Sequence, residues 1–145
     1  ELDENTGLKG MHFLCAEDNE LNAEILSELL EIEGASCEIC ENGQVVVERF
    51  EQSKPGEFDM ILMDVQMPIM NGYEATKAIR SGTHPLAKTI PIIAMTANAF
   101  SEDIQNSLNA GMDAHVSKPV DMKTLIKTVH SIQSGVWGGA KPSAQ

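Results

Sequence analysis

The chain has 145 residues, 42% of them hydrophobic, which suits one domain with a substantial core. Its 22 acids outweigh 10 bases for a net charge of −12, arguing against a broad electrostatic contact with nucleic acid or an anionic membrane. No apolar stretch approaches the roughly 18 residues of a membrane span, the start Glu1-Leu2-Asp3-Glu4-Asn5 is unlike a secretory signal, and an odd number of cysteines makes no disulfide scaffold, so a reducing cytoplasm is the expected compartment.

Residues 1–8 read as a linker. Met11–Ala16 is the first apolar strand. Asn19 can cap a helix that carries Leu21, Ile25, Leu29 and Ile32 on one apolar stripe, expected to face a core, and Gly34 ends it. Ala35–Cys40 is a second strand. Its Cys37 and Cys40 form a C-x-x-C, but strand alternation puts positions i and i+3 on opposite faces, so both are expected to be structural thiols. Gly43–Ser53, with Val46, Val47 and Phe50, is a second helix, and Lys54-Pro55-Gly56 breaks the chain before the strand Phe58–Met63.

Asn71-Gly72 turns into a third helix, Tyr73–Ser81, with Ala75, Ala78 and Ile79 inward. A loop over Ser81–Lys88 leads to a fourth strand, Ile90–Met95. Phe100, Ile104 and Leu108 stripe a fourth helix that stops at Gly111. Ala114–Ser117 is a short fifth strand, and Asp121 caps a fifth helix bearing Leu125, Val129 and Ile132. Residues 134–145, rich in Gly, Ser, Ala and Pro, read as a flexible tail, leaving 9–133 as the folded domain. Strands alternating with helices argue for a parallel sheet covered on both faces.

Parallel strands bring their carboxyl ends to one edge, where ligands of open α/β sheets bind. Glu17 and Asp18 follow the first strand, Asp64 the third, Thr96 the fourth, and Lys118-Pro119 the fifth. Crowded carboxylates repel one another, and a hard divalent cation relieves that repulsion; an all-oxygen cluster suits Mg²⁺, with no Cys or His to suggest zinc. Metal, ammonium and hydroxyl together equip a site to bind a phosphoryl group. A carboxylate can also serve as nucleophile and form an aspartyl phosphate, and Asp64, alone at its strand end, is the candidate.

These residues resemble a receiver domain of a two-component response regulator. The resemblance runs from about Lys9 to Ile132 through Cys15-Ala16-Glu17-Asp18-Asn19, Ile61–Gly72, Ala94-Met95-Thr96-Ala97 and Lys118-Pro119, and looks most like the receivers of hybrid sensor histidine kinases. It implies a flavodoxin-like (βα)5 three-layer sandwich with strand order 2-1-3-4-5. It also implies that Asp64 accepts a phosphoryl group from a phosphohistidine on a histidine kinase or histidine phosphotransfer protein. Glu17, Asp18, Asp64 and the backbone carbonyl of Gln66 would hold Mg²⁺, with Mn²⁺ as an alternative. Lys118 would pair with the phosphoryl oxygens, Thr96 would hydrogen-bond to them and move, and the Lys118–Pro119 bond would be cis. Signalling would repack the face of the fourth helix, fifth strand and fifth helix, including Phe100.

Two positions depart from the family pattern. His115 stands three residues before the lysine, where the family often has Tyr or Phe, and is read as a polar switch side chain. Asn71 stands where Asp is frequent and should serve equally before Gly72. Gln66 and Asn98 are expected to tune the phosphoryl lifetime. The competing readings are a Mg²⁺-dependent phosphatase with an aspartyl nucleophile, which typically carries a second acid where this chain has Gln66, and a receiver used only for docking. A self-phosphorylating acceptor with autophosphatase activity is the enzymatic form of the main reading.

Overall fold

The computed structural model of the protein describes residues 8–97 and 101–134, with the side chains of 101–104 and 134 left aside. Five strands and five helices alternate among them: β1 (His12–Ala16), α1 (Glu20–Ile32), β2 (Ser36–Cys40), α2 (Gly43–Gln52), β3 (Met60–Asp64), α3 (Gly72–Arg80), β4 (Ile92–Thr96), α4 (Ser101–Ala110), β5 (Ala114–Ser117) and α5 (Met122–Ser134). The strands form one sheet in the order β2-β1-β3-β4-β5, every pairing parallel. This is the expected flavodoxin-like arrangement. Two strands begin two residues later than the sequence pattern suggests, so Asp64 is the last residue of β3 rather than the first beyond it.

Alternation along the fully buried central strands splits the core into two layers. Ile61, Met63, Ile92 and Ala94 pack with Val46 and Phe50 of α2 and Ala75 and Ile79 of α3. Met60, Leu62, Ile93 and Met95 pack on the other face with Leu26 and Leu30 of α1 and Leu125 and Val129 of α5. Cys40 joins the first layer and Cys37 adjoins the second, so the C-x-x-C does straddle the sheet. Leu8, assigned to the lead-in by sequence, is buried in the second layer.

The stripe expected to bury α1 is corrected. Leu21, Ile25 and Ile32 are 64%, 47% and 76% exposed, and the buried residues are Ala23, Leu26 and Leu30. Both stripes obey the helical period, and contact with the sheet selects the second. A similar correction applies to α4, where Leu108 is exposed while Ser107 and Ala110 are buried. Phe100 and Asn98 lie outside the described residues, as does the Ile104 side chain.

Helix starts follow the capping chemistry of the sequence. Asn19, Asn42 and Asn71 each accept a backbone N–H at the third position of the following helix, and Glu74 returns a bond to Asn71 N–H to complete a capping box. Each cap fixes where a strand-to-helix loop ends, and so holds the loops at the carboxyl edge in place.

Candidate functional site

The carboxyl ends of β1, β3, β4 and β5 enclose a cleft of ≈ 200 Å³ lined by Glu17, Asp18, Asp64, Gln66, Thr96 and Lys118 among others. All the acids, the hydroxyl and the ammonium that the sequence set at four strand ends meet there. Glu17 is anchored at both ends: its N–H donates to Cys40 O at 3.0 Å and its Oε2 accepts from Asn19 N–H at 3.1 Å. Asp64 Oδ1 accepts from Gln66 N–H at 3.2 Å. Lys118 Nζ lies 3.0 Å from Asp64 Oδ2 and 3.3 Å from Glu17 Oε1, and its N–H donates to Thr96 O at 2.7 Å. The Lys118–Pro119 peptide bond is cis.

Electrostatics in the cleft are strained towards cation binding. Glu17 and Asp64 are each 4% exposed, while Asp18 is open to solvent. Burial pushes the Asp64 carboxyl up to about 6, helped by the neighbouring Glu17 charge and opposed by Lys118. Burial pulls the Lys118 ammonium down, but Asp64 and Glu17 more than offset this and hold it above its ordinary value.

Carboxylate oxygens from Glu17, Asp18 and Asp64 lie within 4.8 Å of one another. One lysine faces two buried acids and a third acid stands beside them, so the cluster suits a hard divalent cation with oxygen ligands. The Thr96 hydroxyl is buried, and Oγ1 has no hydrogen-bond partner among the described residues. A buried hydroxyl without a partner, lining this cleft, is free to donate to an oxygen of a bound ligand.

Two glycines shape the site that sequence motifs alone did not explain. A Cβ on Gly72 would collide with Asp64 O, so α3 can start against the end of β3 only without a side chain. Gly43 makes the same kind of approach to Met70 O, which accepts its N–H at 3.1 Å. The signal for Gly72 was its place in Asn71-Gly72; nothing local marked Gly43. His115 sits on β5 opposite Ala94, partly exposed.

The family model for the response regulator receiver domain matches residues 13–130. Among curated proteins, Probable histidine kinase 2 of Oryza sativa subsp. indica is 35% identical over 146 residues, covering 93% of this chain. This chain spans only 14% of that relative's length. Among solved structures, the receiver domain of sensor histidine kinase PA1611 from Pseudomonas aeruginosa PAO1 has a magnesium ion coordinated in its active site cleft. It is 32% identical with a TM-score of 0.74, covering 87% of this chain and 98% of its own. The receiver domain of Ssk1, co-crystallised with the Saccharomyces cerevisiae histidine phosphotransfer protein Ypd1, matches at 28% identity and TM-score 0.74, covering 86% and 89%.

Proposed function

The chain belongs to the response regulator receiver domains, and we propose that its Asp64 takes up a phosphoryl group from a phosphohistidine within a phosphorelay. The observation that carries this assignment of roles is the convergence of Asp64, Lys118 and the unpartnered Thr96 hydroxyl on one acidic cleft.

Glu17, Asp18, Asp64 and the Gln66 carbonyl would hold Mg²⁺, which when bound supplies charge neutralisation for the carboxylates and the phosphoryl oxygens. Lys118 keeps Asp64 oriented through Oδ2, while Gln66 N–H holds Oδ1. An oxygen of ionised Asp64 attacks phosphorus, the N–P bond of the phosphohistidine breaks, and the imidazole leaves with the bonding pair. Lys118 then has phosphoryl oxygens to pair with, and Thr96 gains its missing acceptor. Drawing Thr96 inward shifts β4 and the segment beyond it, which biases the α4-β5-α5 face. His115 would follow that movement as a polar switch residue. The donor is a histidine kinase or histidine phosphotransfer protein. Ile25, exposed on α1, lines an apolar groove of ≈ 340 Å³ together with Glu17, Lys118, Pro119 and Val120, which supports a partner seated on this side.

Incubation with acetyl phosphate and Mg²⁺, read by intact mass, tests the reading. Wild type should gain one phosphoryl group and Asp64→Asn none. Failure of wild type with both acetyl phosphate and a phosphohistidine protein overturns it.

A further inference from the structure

The three cysteines have different surroundings. Cys15 and Cys40 are 0% and 3% exposed and sit in opposite layers of the core, as structural thiols do. Cys37 differs from both. It is partly exposed on β2, an edge strand of the sheet. It also lines a cleft of ≈ 430 Å³ at the amino ends of β1 and β2, together with His12, Ser36, Glu38 and Glu57 among others. Because the strands run parallel, this cleft lies at the opposite edge of the sheet from Asp64.

Two donors from separate elements converge on the Cys37 sulfur. The Cys15 thiol of β1 and the Ser27 hydroxyl of α1 both donate to it. The Cys15 bond contributes most to bringing the Cys37 thiol down to about 7; Ser27 assists, while burial and the Glu31 charge oppose. The same bond and burial hold the Cys15 thiol up, and burial pushes Cys40 up to about 11. An accessible thiolate is the reactive form, whereas thiols buried in apolar surroundings are inert.

Charge selects the reagent. Glu38 and Glu57 line the cleft and share the single cation Arg49, and Glu31 adds its charge from α1, so an uncharged oxidant enters more readily than an anionic one. Geometry selects the product. Cys37 pairs with Phe13 and Cys15 with Ile39, which staggers the two thiols by two residues along adjacent strands. Cα atoms of such diagonal neighbours are roughly 7–8 Å apart, too far for a disulfide unless the backbone moves. Oxidation therefore stops at Cys37.

We propose that Cys37 is a modification site at which hydrogen peroxide oxidises the sulfur to a sulfenic acid, lodged between Cys15 and Ser27; this does not depend on phosphoryl transfer to Asp64. The thiolate sulfur attacks one peroxide oxygen, and the S–O bond forms as the O–O bond breaks. The second oxygen leaves as hydroxide and takes a proton to become water. Sulfur gives up two electrons and the peroxide gains them.

The test treats the full chain with hydrogen peroxide in the presence of dimedone, which traps sulfenic acids, and locates the adduct by peptide mass. Wild type should carry one adduct, on Cys37, and Cys37→Ser none. Ser27 is only partly buried, so Ser27→Ala should fold. It should label roughly threefold more slowly than wild type at pH 7, yet within about twofold of it at pH 10. Alkylation of wild type by iodoacetamide should reach half its maximal rate at Cys37 near pH 7. No adduct, an adduct on Cys15 or Cys40, a Cys15–Cys37 disulfide in its place, an unchanged rate in Ser27→Ala at pH 7, or an alkylation midpoint above about pH 8.5 overturns the proposal.

Discussion

Lys118 donates from Nζ to Asp64 Oδ2 at 3.0 Å, although 54 residues separate the two in sequence. The bond links the ends of β3 and β5, on either side of β4, and makes Lys118 the counter-charge for both buried acids.

The metal-free chain should lose stability as pH rises through the Asp64 titration. The folded-state carboxyl is raised to about 6 from an ordinary 3.8, so the folded protein binds the proton more tightly than the unfolded chain. The contribution of this group is favourable below 3.8 and declines as pH rises through about 6. Asp64→Asn should therefore be more stable than wild type at pH 7.5, by about 1–2 kcal/mol after allowing for the weakened Lys118 bond. The gap should close at pH 4.5. Chemical denaturation of both proteins in chelator at the two pH values checks this, and a gap that widens on acidification counts against it.

Mg²⁺ should reverse part of that penalty. At roughly tenfold over Kd it stabilises the fold by about 1.4 kcal/mol. Asp18→Asn should abolish most of the gain without unfolding the protein, because Asp18 is exposed. Thermal melts with and without the ion measure both effects.

Thr96→Val tests the orphaned hydroxyl. The replacement keeps the shape and removes a buried group without a partner, so the unphosphorylated protein should hold its stability or gain about 1 kcal/mol. Amide exchange of β5 and α5 on phosphorylation should be blunted in the variant. A stability loss above about 2 kcal/mol would mean that the hydroxyl is already satisfied.

Gly72→Ala should destabilise by about 1–3 kcal/mol, because the new methyl meets Asp64 O and the α carbon of Val65. Phosphorylation by acetyl phosphate should slow in parallel as the end of β3 shifts. Denaturation midpoints and initial rates on the same protein read the two consequences.

The two stripes of α1 give opposite outcomes. Leu26→Ala should cost about 2–5 kcal/mol, whereas Ile25→Ala, on the exposed stripe, should stay within about 0.5 kcal/mol. Equal losses would contradict the orientation of the helix.

Much of this molecule was legible before folding was considered. Asn19 announces the start of α1 through a side chain that bonds backbone three residues on, a local event that sequence spacing encodes directly; Asn71, read as a turn, and Asn42, not singled out in the sequence, cap α3 and α2 in the same way. Alternating strand and helix periods gave the parallel sheet. The placement of Glu17, Asp18, Asp64, Thr96 and Lys118 at strand ends gave the cleft, because parallel strands share one carboxyl edge.

Tertiary structure alone decided the rest. Leu21, Ile25 and Ile32 fit the helical period as well as Ala23, Leu26 and Leu30, and only the sheet beneath α1 selects between them. Gly43 N–H closes on Met70 O across the loop that carries Ile69 at φ +68°, a contact between distant segments that no local propensity foretells. Lys118 satisfies Asp64 and Glu17 while the Thr96 hydroxyl stays unpartnered, and that imbalance depends on distances between four strand ends. Sequence fixes which groups reach the edge, since that follows from period and order; which of them are already paired there is a matter of ångströms, set by packing.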